Sequence, residues 1–400
     1  VEGQLESPNI RRYESPLRIP WEIKNQAIWN EVSDYISSLG KYPTQPPTAF
    51  RGGDVVVPDN KDLAFSYAAF LANERPFLVM PLTNEPNGKI TDVLRYPTKS
   101  ENIRFDANVA AYRQHLGDYA YRHWDTAHNG PSPIPQTTEI STLPNGMYAT
   151  TERYRGYLRG IGKGSGALGI HELDTRRISI DELRHIVRVL DAMHPTRDQF
   201  YTWIQDNERV IPKESFLHPD HPQHELRNAA WWQERSMELQ KKVRYMDKAF
   251  RAINPDFDAS AKIAQYIELN KNNPAEKIIA HGALYPDNIQ LSHDRDGQTS
   301  GITIMGGDRS HVGVRGEMAD WLIAASAESP AHQKAIIDEF ITLHPEDSEK
   351  QGLAMHTLYR SIMEASWFAK QKPDAYRNLI QLSYDILNGN GVWHTTSRPS

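Results

Sequence analysis

The stretch "IIAHGALYPDNIQL", residues 278–291, decides how the rest of the chain is read. It opens on an apolar run, "KIIAHG" from residue 277, which reads as a short strand. It then passes through Gly282 and the polar "YPDN" into a second apolar alternation. A second strand-like segment, "ITIMGG" at 302–307, is followed at once by "GDRSHVG", so Asp308 comes twenty residues after Asn288, across a turn and a strand. The residues with chemistry in this strand-loop-strand are His281, Asn288 and Asp308. The loop between the first two carries an apolar side chain, Ala283.

Composition bounds what surrounds this segment. Four hundred residues exceed a typical single domain, which predicts two lobes sharing a cleft and a large core. A hydrophobic content of 39% with 24% charged residues is ordinary for a globular chain. The net charge of -6 gives no basic footprint for nucleic acid, leaving only a local patch for such a partner. The absence of cysteine excludes disulfides, thiolate zinc sites and a cysteine nucleophile, and fits a reducing compartment. No apolar run approaches the roughly 18 residues that span a bilayer, and the start lacks the apolar core of a secretory signal. A soluble, cytoplasmic protein with no membrane partner is the expectation.

Along the chain, residues 1–60 read as an N-terminal extension, proline-rich apart from "WEIKNQAIWNEVSDYISSL", where Ile28, Val32, Tyr35 and Ile36 keep helical spacing. Residues 61–155 read as a small mixed lobe. In it "PFLVMPL" and "ITDVLRY" are strands joined through the turn signal Asn87-Gly88, "NIRFDANVAAYRQHL" is a helix, and "GMYATTERYRGYL" is a further strand. Residues 156–400 read as a larger helical lobe. "SIDELRHIVRVLDAMH" begins with a capping pattern, Ser179 and Glu182, and aligns Leu183, Ile186, Val187 and Leu190 on one face. Helices are expected at "NAAWWQERSMELQKKVRYMDKAF", "DASAKIAQYIELN", "EMADWLIAASA" and "LAMHTLYRSIMEASWFAK". The fold class is therefore α+β, a small β/α lobe followed by a mainly helical one.

The protein-kinase catalytic loop reads H-R-D-L-x-x-x-N, in which the Asp handles the acceptor hydroxyl's proton and the Asn holds magnesium. His281, Leu284 and Asn288 keep that spacing, and Ala283 occupies the Asp slot. With "GDRSHVG", with Asp320 in "EMADWL", and with "DAMH" ending at His194, residues 281–322 in particular resemble the aminoglycoside phosphotransferase and choline kinase family. The resemblance implies a bilobal kinase-like fold whose 61–155 lobe binds nucleotide. It implies ATP or GTP with Mg2+, and transfer of the γ-phosphoryl to a hydroxyl of a small molecule. It also implies catalytic roles at His281, Asn288, Asp308 and the 283 slot, with Asn288 and Asp308 as metal ligands. Arg95 in "DVLRYP" becomes the cation on the nucleotide phosphates, held by Asp106 on the following helix, with Lys99 and Glu101 as alternatives. The acceptor pocket falls to the 195–275 insert.

Other signals weigh less. The pattern G-x-G-x-x-G at Gly164, Gly166 and Gly169 comes after the Arg95 strand, too late for a kinase phosphate loop, and reads as a connection. His218, His221 and His224 are interrupted by prolines that prevent the helical face a zinc site of this spacing needs, so a solvated loop is expected. Trp203, Trp231, Trp232 and Trp367 either line a pocket or pack in the core, the latter being the commoner use. Ala283 leaves three readings open: a small-molecule kinase carrying an inactivating replacement, a natural pseudokinase or nucleotide-binding scaffold, and a kinase acting on a protein or RNA. Retention of Asn288, Asp308 and Asp320 beside the missing carboxylate favours the first.

Overall fold

A computed structural model of the chain describes residues 31–32, 34–43, 77–85, 90–97, 107, 109–124, 132–144, 146–153, 170–172, 178–225, 227–284, 288–293, 299–304, 307 and 309–394. Its contacts divide into two units, 1–99 and 100–400.

In the first unit, β1 (Tyr42–Pro43), β2 (Phe77–Thr83) and β3 (Ile90–Pro97) form an antiparallel ladder, with Val79 opposite Arg95 and Met80 opposite Leu94. The helical residues at 34–38 continue the expected amphipathic pattern: Val32 and Ile36 are buried, Tyr35 meets the Tyr96 ring at 5.5 Å, and the Tyr96 hydroxyl donates to Glu31 at 2.7 Å. Asp92, fully buried, is neutralised by Lys41 at 2.5 Å.

The second unit begins with a helix whose middle, Tyr112–Leu116, is wound as a π-helix before α1 (Gly117–His123) resumes the ordinary pitch. Next come the hairpin β4 (Thr137–Thr142) and β5 (Tyr148–Arg153), and the short β6 (Ile170–Glu172). Then α2 (Ile180–Met193) starts on the expected capping box: Ser179 Oγ accepts from Glu182 N while Glu182 accepts from Ser179 N. Leu183, Ile186, Val187 and Leu190 are all buried, each contributing about 1.5–3 kcal/mol by leaving water. Following it are α3 (Arg197–Asp206), α4 (Ala229–Arg244), α5 (Asp247–Ile253) and α6 (Ala259–Asn270). The segment expected as one helix from Asn228 to Phe250 is two, because the chain turns at Tyr245 and Met246. The turn leaves Tyr245 exposed while Met246 and Phe250 both reach the core.

The strands β7 (Lys277–Ala280) and β10 (His311–Val314) pair antiparallel, with Ala280 opposite His311 and Lys277 opposite Val314. Between them in sequence, β8 (Ile289–His293) and β9 (Thr299–Ile304) form a second antiparallel pair that β6 joins. The helices α7 (Gly316–Ala325), α8 (Pro330–Leu343), α9 (Asp347–Phe368) and α10 (Pro373–Asn388) complete the unit around one continuous core. The chain is thus α+β, sheet-rich early and helical late. No described helix is long and apolar enough to cross a membrane.

Two of the weaker sequence signals acquire a place. His218 and His221 sit in consecutive turns, their Nδ1 atoms accepting from the N–H of Asp220 and Gln223. Among the described residues no group of three or more His, Asp or Glu is arranged to hold a metal. Trp203 and Trp232 are core residues, Trp231 is half-buried, and Trp367 is 72% exposed. The 164–169 glycine run lies outside the described residues.

Candidate functional site

β7 is anchored from behind before it delivers its loop. Ile279 N donates to Pro195 O at 3.1 Å, and Thr196 bridges Ile278, so the end of α2 fixes the strand. His194, at that end, is buried and its imidazole is pushed down to about 4 by burial, which leaves it neutral.

Beyond Ala280 the chain makes a tight loop that only its glycines permit. Gly282 has φ +75°, and a Cβ there would lie 2.1 Å from the Arg309 carbonyl oxygen, so the loop and the segment after Gly307 are in backbone contact. Gly307 has φ +102°, and a Cβ there would lie 2.5 Å from Cδ1 of Tyr112. The same Tyr112 ring meets His281 edge to face, centroids 5.2 Å apart. The helix at 112, the 281–283 loop and Gly307 therefore interlock, with Tyr112 touching both His281 and Gly307. Burial pushes the Tyr112 phenol well above its ordinary range, so it stays a neutral packing group.

Within the loop, His281 is fully buried and its Nδ1 accepts from Ala283 N at 3.3 Å. Asn288 is also fully buried; its Nδ2 donates to the Ala283 carbonyl at 2.6 Å, which closes the loop. Its Oδ1 has no hydrogen-bond partner among the described residues. A buried amide oxygen left without a donor costs about 1–3 kcal/mol unless something fills the role, and a hard cation would. Ala283 itself is buried, and its side chain is a methyl group with nothing to ionise.

The other expected site residues are distributed unevenly. Asp308 and Asp106 lie outside the described residues. Arg95 is on β3 in the 1–99 unit and is 9% exposed, buried rather than solvated. Asp320 lies on α7, fully buried, with Arg360 Nε at 3.6 Å and Arg227 Nη1 at 3.9 Å from Oδ2. Burial outweighs both arginines and pushes its carboxyl up to about 6.

Three features had no reading in the sequence. Tyr112 is one; a π-turn has no composition signature, although such turns are frequent at functional sites. The second is a buried ion pair on that turn, Arg113 Nη1 to Glu152 Oε2 at 2.5 Å. It reverses the expected polarity, since here the helix brings the cation and the strand the acid. The third is a cluster around Glu317, whose Oε2 lies 3.1 Å from Arg227 Nη1 and 3.2 Å from His311 Nε2. Burial alone would raise that carboxyl, but Arg227, His311 and His356 hold it well below the usual carboxylate range.

No family model matches the chain, and no curated protein sequence matches it. Among solved structures, the chain aligns with the GDP complex of aminoglycoside 2'-phosphotransferase-IIIa at 10% identity and TM-score 0.41, covering 79% of this chain and 90% of that one. A thermostable variant of aminoglycoside phosphotransferase APH(4)-Ia, in complex with ADP and hygromycin B, aligns at 14% identity and TM-score 0.37, over 80% of this chain and 92% of that one. A choline/ethanolamine kinase family protein from Mesorhizobium loti aligns at 12% identity and TM-score 0.37, over 80% and 87%. At TM-scores this low the likeness assigns neither a fold nor an activity to this chain.

Proposed function

We propose that the chain carries the site of a nucleoside-triphosphate-dependent phosphotransferase for a hydroxyl-bearing small molecule, with its proton-handling position occupied by Ala283. The observation that carries this reading is Asn288. It closes the 281–288 loop through Nδ2 and leaves a fully buried Oδ1 with no hydrogen-bond donor among the described residues, the requirement of a side chain that both shapes a loop and ligates a cation.

In this reading Asn288 and Asp308 hold Mg2+, which when bound neutralises charge on the nucleotide phosphates. Arg95, with Asp106 as its acid, contacts the phosphates of ATP or GTP. His281 acts through the loop: its Nδ1 fixes Ala283 N and thereby the direction in which residue 283 projects. Ala283 has no group able to take the acceptor hydroxyl's proton, so turnover by the chain as it stands is strongly impaired while nucleotide binding is retained. Calorimetric titration with ATP and with GTP, each with and without Mg2+, tests this. Magnesium-dependent binding that weakens most on Asp308→Ala supports the site; no heat with either nucleotide at millimolar concentration removes it.

A further inference from the structure

A polar cavity opens where the Lys277 end of β7 meets α4 and α9. It measures about 240 Å³, and its walls include Asn228 and Ala229 at the start of α4, Lys271, Lys277, Glu317 and His356. Gly313, opposite Ile278, keeps it open: a Cβ there would lie 2.4 Å from Glu317 Oε1.

The informative wall is His356, which is only 2% exposed. Its Nδ1 faces Arg227 Nη1 at 2.8 Å. A guanidinium only donates, so Nδ1 must accept and the ring proton sits on Nε2. That Nε2–H has no acceptor within hydrogen-bond distance among the described residues; Glu317 Oε1, at 3.8 Å, is out of reach. The ring is buried, but Nε2 itself is open to the cavity, where no described residue supplies a hydrogen-bond acceptor for its proton.

The surroundings favour a negatively charged acceptor. The lining holds three cations, Arg227, Lys271 and Lys277, against two carboxylates, Glu225 and Glu317, with Lys271 also paired to Glu268 at 2.6 Å at the rim. Glu317 is already neutralised by Arg227, and Glu225 faces Arg197 at 3.5 Å as well as Lys277 at 3.6 Å. The start of α4, a 16-residue helix, adds the positive end of its dipole. Asn228 caps only Trp231 N there, so the first helical N–H groups are left for another acceptor.

We propose that this cavity binds a small oxyanion, a phosphate or a carboxylate group, received by His356 Nε2–H, the first turn of α4 and Lys271. The site does not depend on the nucleotide reading of the 281–288 loop.

Titration of the full chain with inorganic phosphate and, separately, with acetate, at constant ionic strength set by chloride, is followed by tryptophan fluorescence. Trp232, whose ring centroid is 5.0 Å from that of His356, is the reporter. Saturable binding of one probe at millimolar concentration is expected, and the two arms identify which oxyanion fits. His356→Leu should weaken it about tenfold, whereas His356→Gln, which restores an N–H, should stay within about threefold of the parent. Lys271→Met, remote from the buried network, should weaken it severalfold and keeps the test decisive if His356→Leu does not fold. The proposal is overturned if neither probe saturates, if His356→Leu and Lys271→Met both bind like the parent, or if binding is abolished by Asn288→Ala and untouched at 271 and 356. The last result would place the phosphate in the loop instead.

Discussion

The 281–288 loop and the Glu317 cluster flank the same strand pair, β7 and β10, yet they bury polar groups by different means. In the loop the polar atoms are tied to backbone: His281 to Ala283 N, Asn288 to Ala283 O, with Gly282 pressed against the Arg309 carbonyl. No ionisable carboxylate is found there among the described residues. Around Glu317 the polar groups are charged side chains, Glu317 and Asp320 on one helix with Arg227 and Arg360, from three separate places in the chain. A backbone-tied loop keeps its shape when a charge is deleted, because nothing in it relied on that charge. A charge-tied cluster does not, since each member's desolvation is offset by the others. The bonds that shape the loop therefore do not depend on a charge at position 283.

The sharpest test of that contrast adds a charge to the loop. Ala283→Asp should raise phosphoryl transfer to a hydroxyl acceptor by about 10²- to 10⁴-fold, the usual contribution of a positioned base, with nucleotide affinity nearly unchanged. The assay is product formation from ATP or GTP across aminoglycosides, amino alcohols, sugars, nucleosides, protein and RNA. A folded variant that binds nucleotide and stays inert throughout would mark the chain as a scaffold. Activity confined to protein or RNA would move the acceptor to a macromolecule.

Removing a charge from the cluster should do the opposite. Glu317→Gln keeps the shape but leaves Arg227 with only the more distant Asp320, at 3.9 Å, and should cost about 3–5 kcal/mol in denaturant-unfolding stability. A loss under about 1 kcal/mol would show that Arg227 finds another partner and that the cluster is not charge-tied.

A smaller effect concerns Asp320, whose carboxyl burial pushes up from the ordinary 3.8 to about 6. The folded state then binds a proton more tightly than the unfolded one. The stability this side chain contributes is complete below about pH 4 and is lost as pH rises through about 6. Wild-type stability minus that of Asp320→Asn should therefore fall between pH 4 and pH 7 by on the order of 1–3 kcal/mol. Comparing the two proteins matters because His356 and His194, pushed down by burial to about 3 and about 4, tilt the total the other way, losing stability as pH falls below the ordinary 6.5. A difference independent of pH would show Asp320 ionised at all of these values.

The smallest expected change separates the tryptophans. Trp367→Ala, at a 72% exposed position, should alter stability by no more than about 0.5 kcal/mol in thermal or denaturant unfolding. Trp232→Ala, in the core against His356 and Tyr359, should cost about 3–5 kcal/mol. Similar costs at the two positions would mean that exposure does not distinguish them.

Much of this was determined by the sequence itself. Alternation and turn signals placed β2 and β3, and a capping box with four apolar residues at helical spacing placed α2 and its buried face. The loop glycine and the H-x-x-L-x-x-x-N spacing placed Ala283 and Asn288 between two strands. These are local properties, fixed by φ/ψ preference and side-chain period over a few residues. The break at Tyr245 and Met246 was not legible, because helix propensity is uninterrupted there and only the core's demand for both Met246 and Phe250 turns the chain. Nor was the charge environment of Glu317 and Asp320. Arg227 meets His356 across a separation of 129 residues, and Arg188 meets Glu339 across 151. Nothing in a local window encodes which distant arginine will face which carboxylate. Tyr112 was hidden for a related reason. Its role follows from a π-turn and from Gly307, which leaves room for a ring, and that room exists only once helix, loop and turn are packed together.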